Sequence, residues 1–213
     1  MQTPTDMKNP WEEISLSDYE SHMQLASVRQ LQALNELMHL QLSAYPVSTA
    51  VIFGVAGGNG LEHVDPQKYT KVYGIDINEA YLAAAGERYA ALGEVLELRR
   101  LDLCRNAEEL PQAELVIADL LVEYIGYAAF QNAVMRTSAQ YVSCVIQINT
   151  DEAAWVSDSP YLHAFDGLDQ VHHQMEKAAL TCAMEQIGYH PVRTAERPLP
   201  NGKKLVMLDY SLE

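Results

Sequence analysis

The segment Val51-Ile-Phe-Gly-Val-Ala-Gly-Gly-Asn-Gly-Leu61 limits what this chain can fold into more than any other stretch. An apolar run over 50–53 stops abruptly at four glycines, Gly54, Gly57, Gly58 and Gly60. A buried strand that turns tightly through glycine lets a ligand approach the main chain where a side chain would block it. A second apolar run, Val72-Tyr-Gly-Ile75, ends on Asp76, 22 residues after Gly54. An acid at that distance, on the tip of the next strand, can accept both hydroxyls of a ribose. Together the two runs point to an adenosine-containing ligand at the carboxyl edge of a parallel sheet.

The rest of the chain keeps a strand–helix rhythm. Apolar runs predict strands near 49–54, 71–76, 95–99, 114–119 and 141–148. Helices are predicted near 60–64, 78–92, 123–137 and 175–188. Short strands separated by helices imply βαβ units and a parallel sheet with helices on both faces. The ending breaks the rhythm: 190–197 and 203–211 are strand-like and joined through Asn201-Gly202, a strong hairpin signal. Before the first strand, Ser17-Asp-Tyr-Glu20 has the spacing of a capping box. Val28, Leu31, Leu34, Met38 and Leu42 then form an apolar stripe of helical period that stops before Pro46. The expected organisation is a helical extension over 1–47 packed on an α/β domain over 48–213. Residues 149–174 show no regular pattern, and connections of that length in compact domains are usually lids or binding loops.

Composition narrows the function. The 213 residues carry a net charge of −15, with 14 Lys and Arg against 29 Asp and Glu. That balance argues against a phosphate-tracking surface, so no nucleic-acid partner is expected, and it suits small polar or cationic substrates. Three widely spaced cysteines, Cys104, Cys144 and Cys182, read as reduced thiols of a cytoplasmic protein. Nowhere is there an apolar run of about 18 residues, so no membrane span is expected.

Five alternating strands, a glycine-rich first turn and a closing hairpin resemble the class I S-adenosylmethionine-dependent methyltransferases over roughly 48–211. The resemblance implies a Rossmann-like, mostly parallel seven-stranded sheet with a C-terminal antiparallel β-hairpin. It implies S-adenosylmethionine as cofactor and a small-molecule methyl acceptor. In that family the first turn packs against the methionine part of the cofactor, which maps onto Gly54, Ala56 and Gly58, with Ala56 replacing the usual middle glycine. The acid ending the second strand binds ribose, here Asp76 with Ile77 beside it. An acid after the third strand contacts the adenine amino group, here Asp102 with Leu103. The fourth strand ends near the methyl group, at Ala118-Asp-Leu-Leu121. Two departures stand out. Ile52 occupies the place of an acid that often holds the methionine ammonium, and Asp65-Pro66 cuts short the helix after the glycine turn.

Methyl transfer from a sulfonium mainly needs positioning, and a base helps when the acceptor is a hydroxyl or protonated amine. Asp119 is the first candidate near the acceptor; its competing reading is a helix cap. Glu123 and Tyr124 either face the pocket or favour the helix dipole. Loop residues Tyr161 and His163 are expected to contact substrate, in a segment that also holds Trp155, Phe165, His172 and His173. The histidines lack familiar ligand spacing, so no metal is expected, although Asp119, Asp151 and Asn149 are loosely placed for one. Tyr19, His22, Met23 and Trp11 either cover the cofactor or make packing or dimer contacts. Two other readings remain: a non-catalytic binder of the same cofactor, and an NAD-binding oxidoreductase, whose Gly-x-Gly-x-x-Gly no register here completes.

Overall fold

The computed structural model describes residues 8–149 and 155–213. Among these, seven strands form one sheet. They are β1 (Thr49–Phe53), β2 (Lys71–Asp76), β3 (Leu96–Arg100), β4 (Leu115–Asp119), β5 (Tyr141–Ile148), β6 (Tyr189–Pro198) and β7 (Lys204–Leu212). Their order is β3-β2-β1-β4-β5-β7-β6. The first five pair in parallel, and β7 runs antiparallel between β5 and β6. This is the expected seven-stranded, mostly parallel Rossmann-like sheet with its closing hairpin. The strand order reverses between β1 and β4, the switch point beside which α/β sheets open a crevice.

Burial on both faces explains the unbroken apolar runs of the central strands. Val51 and Phe53 of β1, with Val116 and Ala118 of β4, point to the core beneath α4 (Val122–Thr137) and α5 (Lys177–Gln186). Ala50, Ile52, Leu115 and Ile117 point the other way, to a core closed by α2 (Gln30–Ala44) and α3 (Glu79–Arg88). Further along the sheet, Leu34 and Leu37 of α2 pack on Val145, Leu205 and Met207. The first crossover carries only a 3-10 turn, Leu61–His63, as the Asp65-Pro66 break implies.

The single leading helix expected from the apolar stripe is in fact two. Helix α1 (Leu16–Gln24) is capped by Ser15, whose hydroxyl accepts from the Asp18 amide, so Ser17 and Glu20 are not the capping box. A corner follows, with Val28 fully buried and Arg29 at φ 53°, before α2 begins. The bend has a physical reason. Helix α1 meets the 3-10 segment Leu162–Gln170, where His22 lies against Phe165, whereas α2 lies on the sheet. One straight helix does not reach both.

The glycine turn is held by packing as well as by ligand access. Gly60 sits at φ 95°, and a Cβ there would lie 2.5 Å from Met38 Cγ on α2. Gly60→Ala is therefore expected to cost about 2–4 kcal/mol, the sum of overpacking and left-handed strain. Urea unfolding at neutral pH measures it, and a loss below about 0.5 kcal/mol would show that α2 and the turn are not in this close contact.

Candidate active site

The tips of β1, β2 and β4 open onto one cleft of about 730 Å³, part of it open to solvent. Asp76 organises its floor. Asp76 Oδ2 accepts the Ala56 amide at 2.9 Å, and Oδ1 accepts the Asn78 amide at 2.8 Å. The first bond clamps the glycine turn to β2 and holds Ala56 at φ 47°, a conformation a non-glycine residue seldom adopts. Each carboxylate oxygen keeps a further acceptor direction for a ligand hydroxyl. Burial pushes the Asp76 carboxyl up, and the amide hydrogen bonds pull it back. Asp102 closes the adjoining wall, where its Oδ1 accepts the Cys104 amide at 2.9 Å.

At the β4 tip Asp119 accepts from Gln41 Nε2 at 2.8 Å through Oδ1. Although the residue keeps some exposure, Oδ2 is sealed from solvent and has no hydrogen-bond partner among the described residues. Burial pushes this carboxyl up to about 7. Hydrogen bonding from Gln41 opposes the rise, while the Asp209 and Glu123 carboxylates add to it. Asp119 does not cap α4: the preceding cap is Leu121, which makes no side-chain bond to the helix. Next to Asp119, Leu120 lines the cleft at φ 53°, a second strained backbone position at the site.

A roof comes from the N-terminal segment. Trp11 and Tyr19 meet edge to face at 5.8 Å, Trp11 meets Tyr124 at 4.8 Å, and Tyr19 stacks on Tyr81. The segment is tied down by Asn78 Nδ2 donating to the Trp11 carbonyl, by Arg100 to Glu12, and by Arg88 to Glu20. Tyr81 also lines the cleft, and its buried hydroxyl has no partner among the described residues.

Beyond the shared walls Trp11, Tyr19, Leu120 and Tyr124 lies a second chamber of about 560 Å³, part of it open to solvent. Glu123, 4% exposed, is its buried carboxylate. Glu123 Oε1 accepts the Gln147 amide at 2.9 Å, and Oε2 has no partner among the described residues. Burial pushes this carboxyl up to about 7 against that hydrogen bond. Glu123 and Tyr124 face inward because Gly126, at φ 72° and ψ 167°, breaks α4 after its first turn. Trp155 stacks on His172 at 3.8 Å, and Phe165 completes the aromatic walls.

Of the residues singled out from sequence, Gly54, Ala56, Asp76, Ile77, Asp102, Leu103 and Asp119 all line the cleft. Gly58 does not; a Cβ there would lie 2.7 Å from the Tyr89 ring, so this glycine serves packing. His163 is not brought to either cavity. Its side chain is 91% exposed and pairs with Asp166, because the 3-10 segment turns Phe165 and Leu168 inward instead. Tyr161 packs at the edge of that small core and lines neither cavity. Asp151 lies outside the described residues, and among those described no group of three His, Cys, Asp or Glu is placed to hold a metal ion. Sequence reasoning missed Gln41, Gln30 and Gln147. The signal for the first two is on α2, where Gln30, Leu34, Leu37 and Gln41 share one helical face, so polar residues interrupt a buried apolar stripe.

These groups fit a nucleoside bearing a cationic amino-acid tail. Asp76 and Asp102 offer acceptors to hydroxyl and amino hydrogens, and the orphaned Asp119 Oδ2 offers one to an ammonium. Tyr81 supplies an unused hydroxyl, and Gly54 and Ala56 expose main chain.

No sequence-family model matches the chain, and no characterised protein matches it in sequence. Its fold does match solved structures. Magnesium protoporphyrin IX methyltransferase from Synechocystis PCC 6803, with bound S-adenosylhomocysteine, superposes with TM-score 0.62 at 12% identity, covering 92% of this chain and 86% of that one. Geranyl diphosphate C-methyltransferase from Streptomyces coelicolor A3(2) gives 0.65 at 10% identity, covering 87% and 81%. A (4+2)-cyclase gives 0.65 at 9% identity, covering 89% and 84%. At such identities the likeness shows a shared fold.

The buried carboxyl of Asp119 has a consequence for stability. Its folded value, about 7, lies above the ordinary 3.8, so the folded state holds the proton more tightly. The resulting stabilisation is complete below the ordinary value and is lost as pH rises through about 7. In the ligand-free protein, Asp119→Asn is therefore expected to gain on the wild type between pH 5 and pH 8, by on the order of 2 kcal/mol. Urea unfolding at the two pH values measures the gap, and an equal gap at both would contradict a sealed, unpaired Oδ2.

Proposed function

We propose that this protein is an S-adenosylmethionine-dependent methyltransferase acting on a small-molecule acceptor. One observation carries the reading: the glycine turn, Asp76 and Asp102, on three successive strand tips, line a single cleft beside the sheet's switch point. Solved structures of the same fold that bind S-adenosylmethionine or S-adenosylhomocysteine support it. When bound, the cofactor would supply a methyl group already activated on a positive sulfur.

The chain's own residues then have definable work. Asp76 would take the ribose hydroxyls and Asp102 the adenine amino group, between Ile77 and Leu103. Asp119 would hold the methionine ammonium, replacing the acid that Ile52 lacks, and the incoming cation would favour its ionised form. Trp11, Tyr19 and Tyr124 would exclude water from the junction of cleft and chamber. The second chamber, which shares Trp11, Tyr19, Leu120 and Tyr124 with the cleft, would receive the acceptor. The net charge of −15 disfavours a nucleic-acid acceptor.

A chemistry other than methyl transfer has the support of the (4+2)-cyclase among the structural neighbours, since one fold hosts several chemistries. Calorimetry with S-adenosylhomocysteine tests the binding. The expected result is a clear heat with the wild type, a loss of at least about tenfold in affinity for Asp76→Ala, and no heat with NAD. No heat with S-adenosylhomocysteine, or an unchanged Asp76→Ala, would overturn the assignment.

A further inference from the structure

The second chamber is chemically lopsided. Its rings, those of Trp11, Tyr124, Trp155 and Phe165, present faces and edges around a small volume. Among the described residues its one lining carboxylate is Glu123, more than nine-tenths buried, with Oε2 unpartnered among them. Burial holds the two histidines on the lining below the usual histidine range, helped by the Lys203 charge at His22 and by His173 and then Lys203, against Asp169, at His172. Lys203 itself is not on the lining; it donates to the Trp155 carbonyl and to Ser157 Oγ. Among the described residues the lining thus offers an occupant aromatic rings and one carboxylate, and it carries no Lys or Arg.

An unpaired buried carboxylate is costly to leave unmatched, and a charge-assisted bond from a cation compensates it best. Aromatic walls favour the same occupant, because ring faces attract cations most strongly where water is excluded. The acidic field of the whole chain draws cations in and repels carboxylates and phosphates. We infer that the acceptor is an amine borne on a flat apolar body, bound as the ammonium with an N–H on Glu123 Oε2. This inference rests on the methyltransferase reading and names the substrate class of that same site.

The chemistry balances. A proton leaves the ammonium for Glu123 Oε2, and the freed nitrogen lone pair forms the new N–C bond. The electron pair of the broken C–S bond stays on sulfur, which departs as the neutral thioether. Burial places Glu123 where it can take a proton near neutral pH. Other ionisable groups within its field are Asp119 of β4, Cys144 of β5, and Tyr124 and Tyr127 of α4. The backbone of His173 donates to the Glu123 carbonyl and fixes the residue from the opposite segment.

The chain has two tryptophans, Trp11 and Trp155, and both line this chamber, so tryptophan emission reports its occupancy directly. Protein saturated with S-adenosylhomocysteine would be titrated with 2-phenylethylamine, 2-phenylethanol and 3-phenylpropionate. The amine is expected to bind at least about tenfold tighter than the alcohol, with the carboxylate weakest. Glu123→Gln, which keeps the shape and the Gln147 contact, is expected to erase the amine's advantage while calorimetric affinity for S-adenosylhomocysteine stays within about twofold. The inference is overturned if the amine gives no response, if the alcohol or carboxylate matches it in the wild type, or if Glu123→Gln keeps the preference. The wild-type ranking stands independently of how the variant folds. Protein that binds S-adenosylhomocysteine without preferring the amine defeats this inference alone; protein that binds no S-adenosylhomocysteine defeats the reading beneath it.

Discussion

The clamp of Asp76 on the main chain of the glycine turn is the interaction on which the site's geometry rests. A carboxylate at the end of β2 accepts amides from both Ala56 and Asn78, and so joins the loop after β1 to the start of α3. Without it Ala56 has no reason to hold a positive φ, and the turn has no fixed distance from the β2 tip. The bond also orients the carboxylate before any ligand arrives. That is preorganisation: the acceptor's direction is set by folding, so binding does not have to order it. The roof follows from the same point, since Asn78, whose amide the clamp fixes, also donates to the Trp11 carbonyl.

Against this well-satisfied centre stand two carboxylates that folding leaves incomplete. Asp119 and Glu123 each have one oxygen bonded and one sealed without a partner. Each orphan of this kind costs on the order of 1–3 kcal/mol. The cost is placed on either side of the wall formed by Leu120 and Tyr124, one acid per cavity. Folded proteins rarely tolerate such groups in their cores, and they concentrate where a ligand will complete them. Elsewhere the chain buries acid with care: Asp209, fully buried on β7, accepts from both Ser143 and Tyr45. Asp209 is thus buried with both oxygens bonded, whereas Asp119 and Glu123 are each buried with one oxygen left without a partner among the described residues.

How much of this the sequence discloses depends on whether the information is local. The central strands were legible because burial on both faces leaves continuous apolar runs, and the hairpin because Asn201-Gly202 states its own turn. Asp76 and Asp102 were legible because each ends a strand or follows one closely, so position along the chain gives position in space. The corner at 25–29 was not, since no proline or glycine marks it; it exists because α1 and α2 answer to different surfaces. His163 misled for the same reason. In an irregular segment the side-chain direction is decided by which neighbours bury themselves, and Phe165 and Leu168 won. The inward face of Glu123 was half legible, because Gly126 within an apolar helical pattern signals a break, and the break sets which way the first turn points.

The arrangement of the two cavities bears on how specificity can be built on this fold. The cleft is assembled from strand tips, whose positions the parallel sheet sets rigidly, and its carboxylates are fixed by main-chain amides. The chamber is assembled from the N-terminal segment, the first turn of α4 and the segment beginning at Trp155, which meet through ring contacts and a few side-chain bonds. Ring contacts tolerate substitution of neighbours far better than a strand register does. The walls of the chamber can therefore change without disturbing the strand tips that frame the cleft. In this chain the exchangeable part holds, among the described residues, one buried acid, with aromatic rings on the same lining. Glu123 and the rings around it are therefore the part of the two cavities that the strand register does not fix.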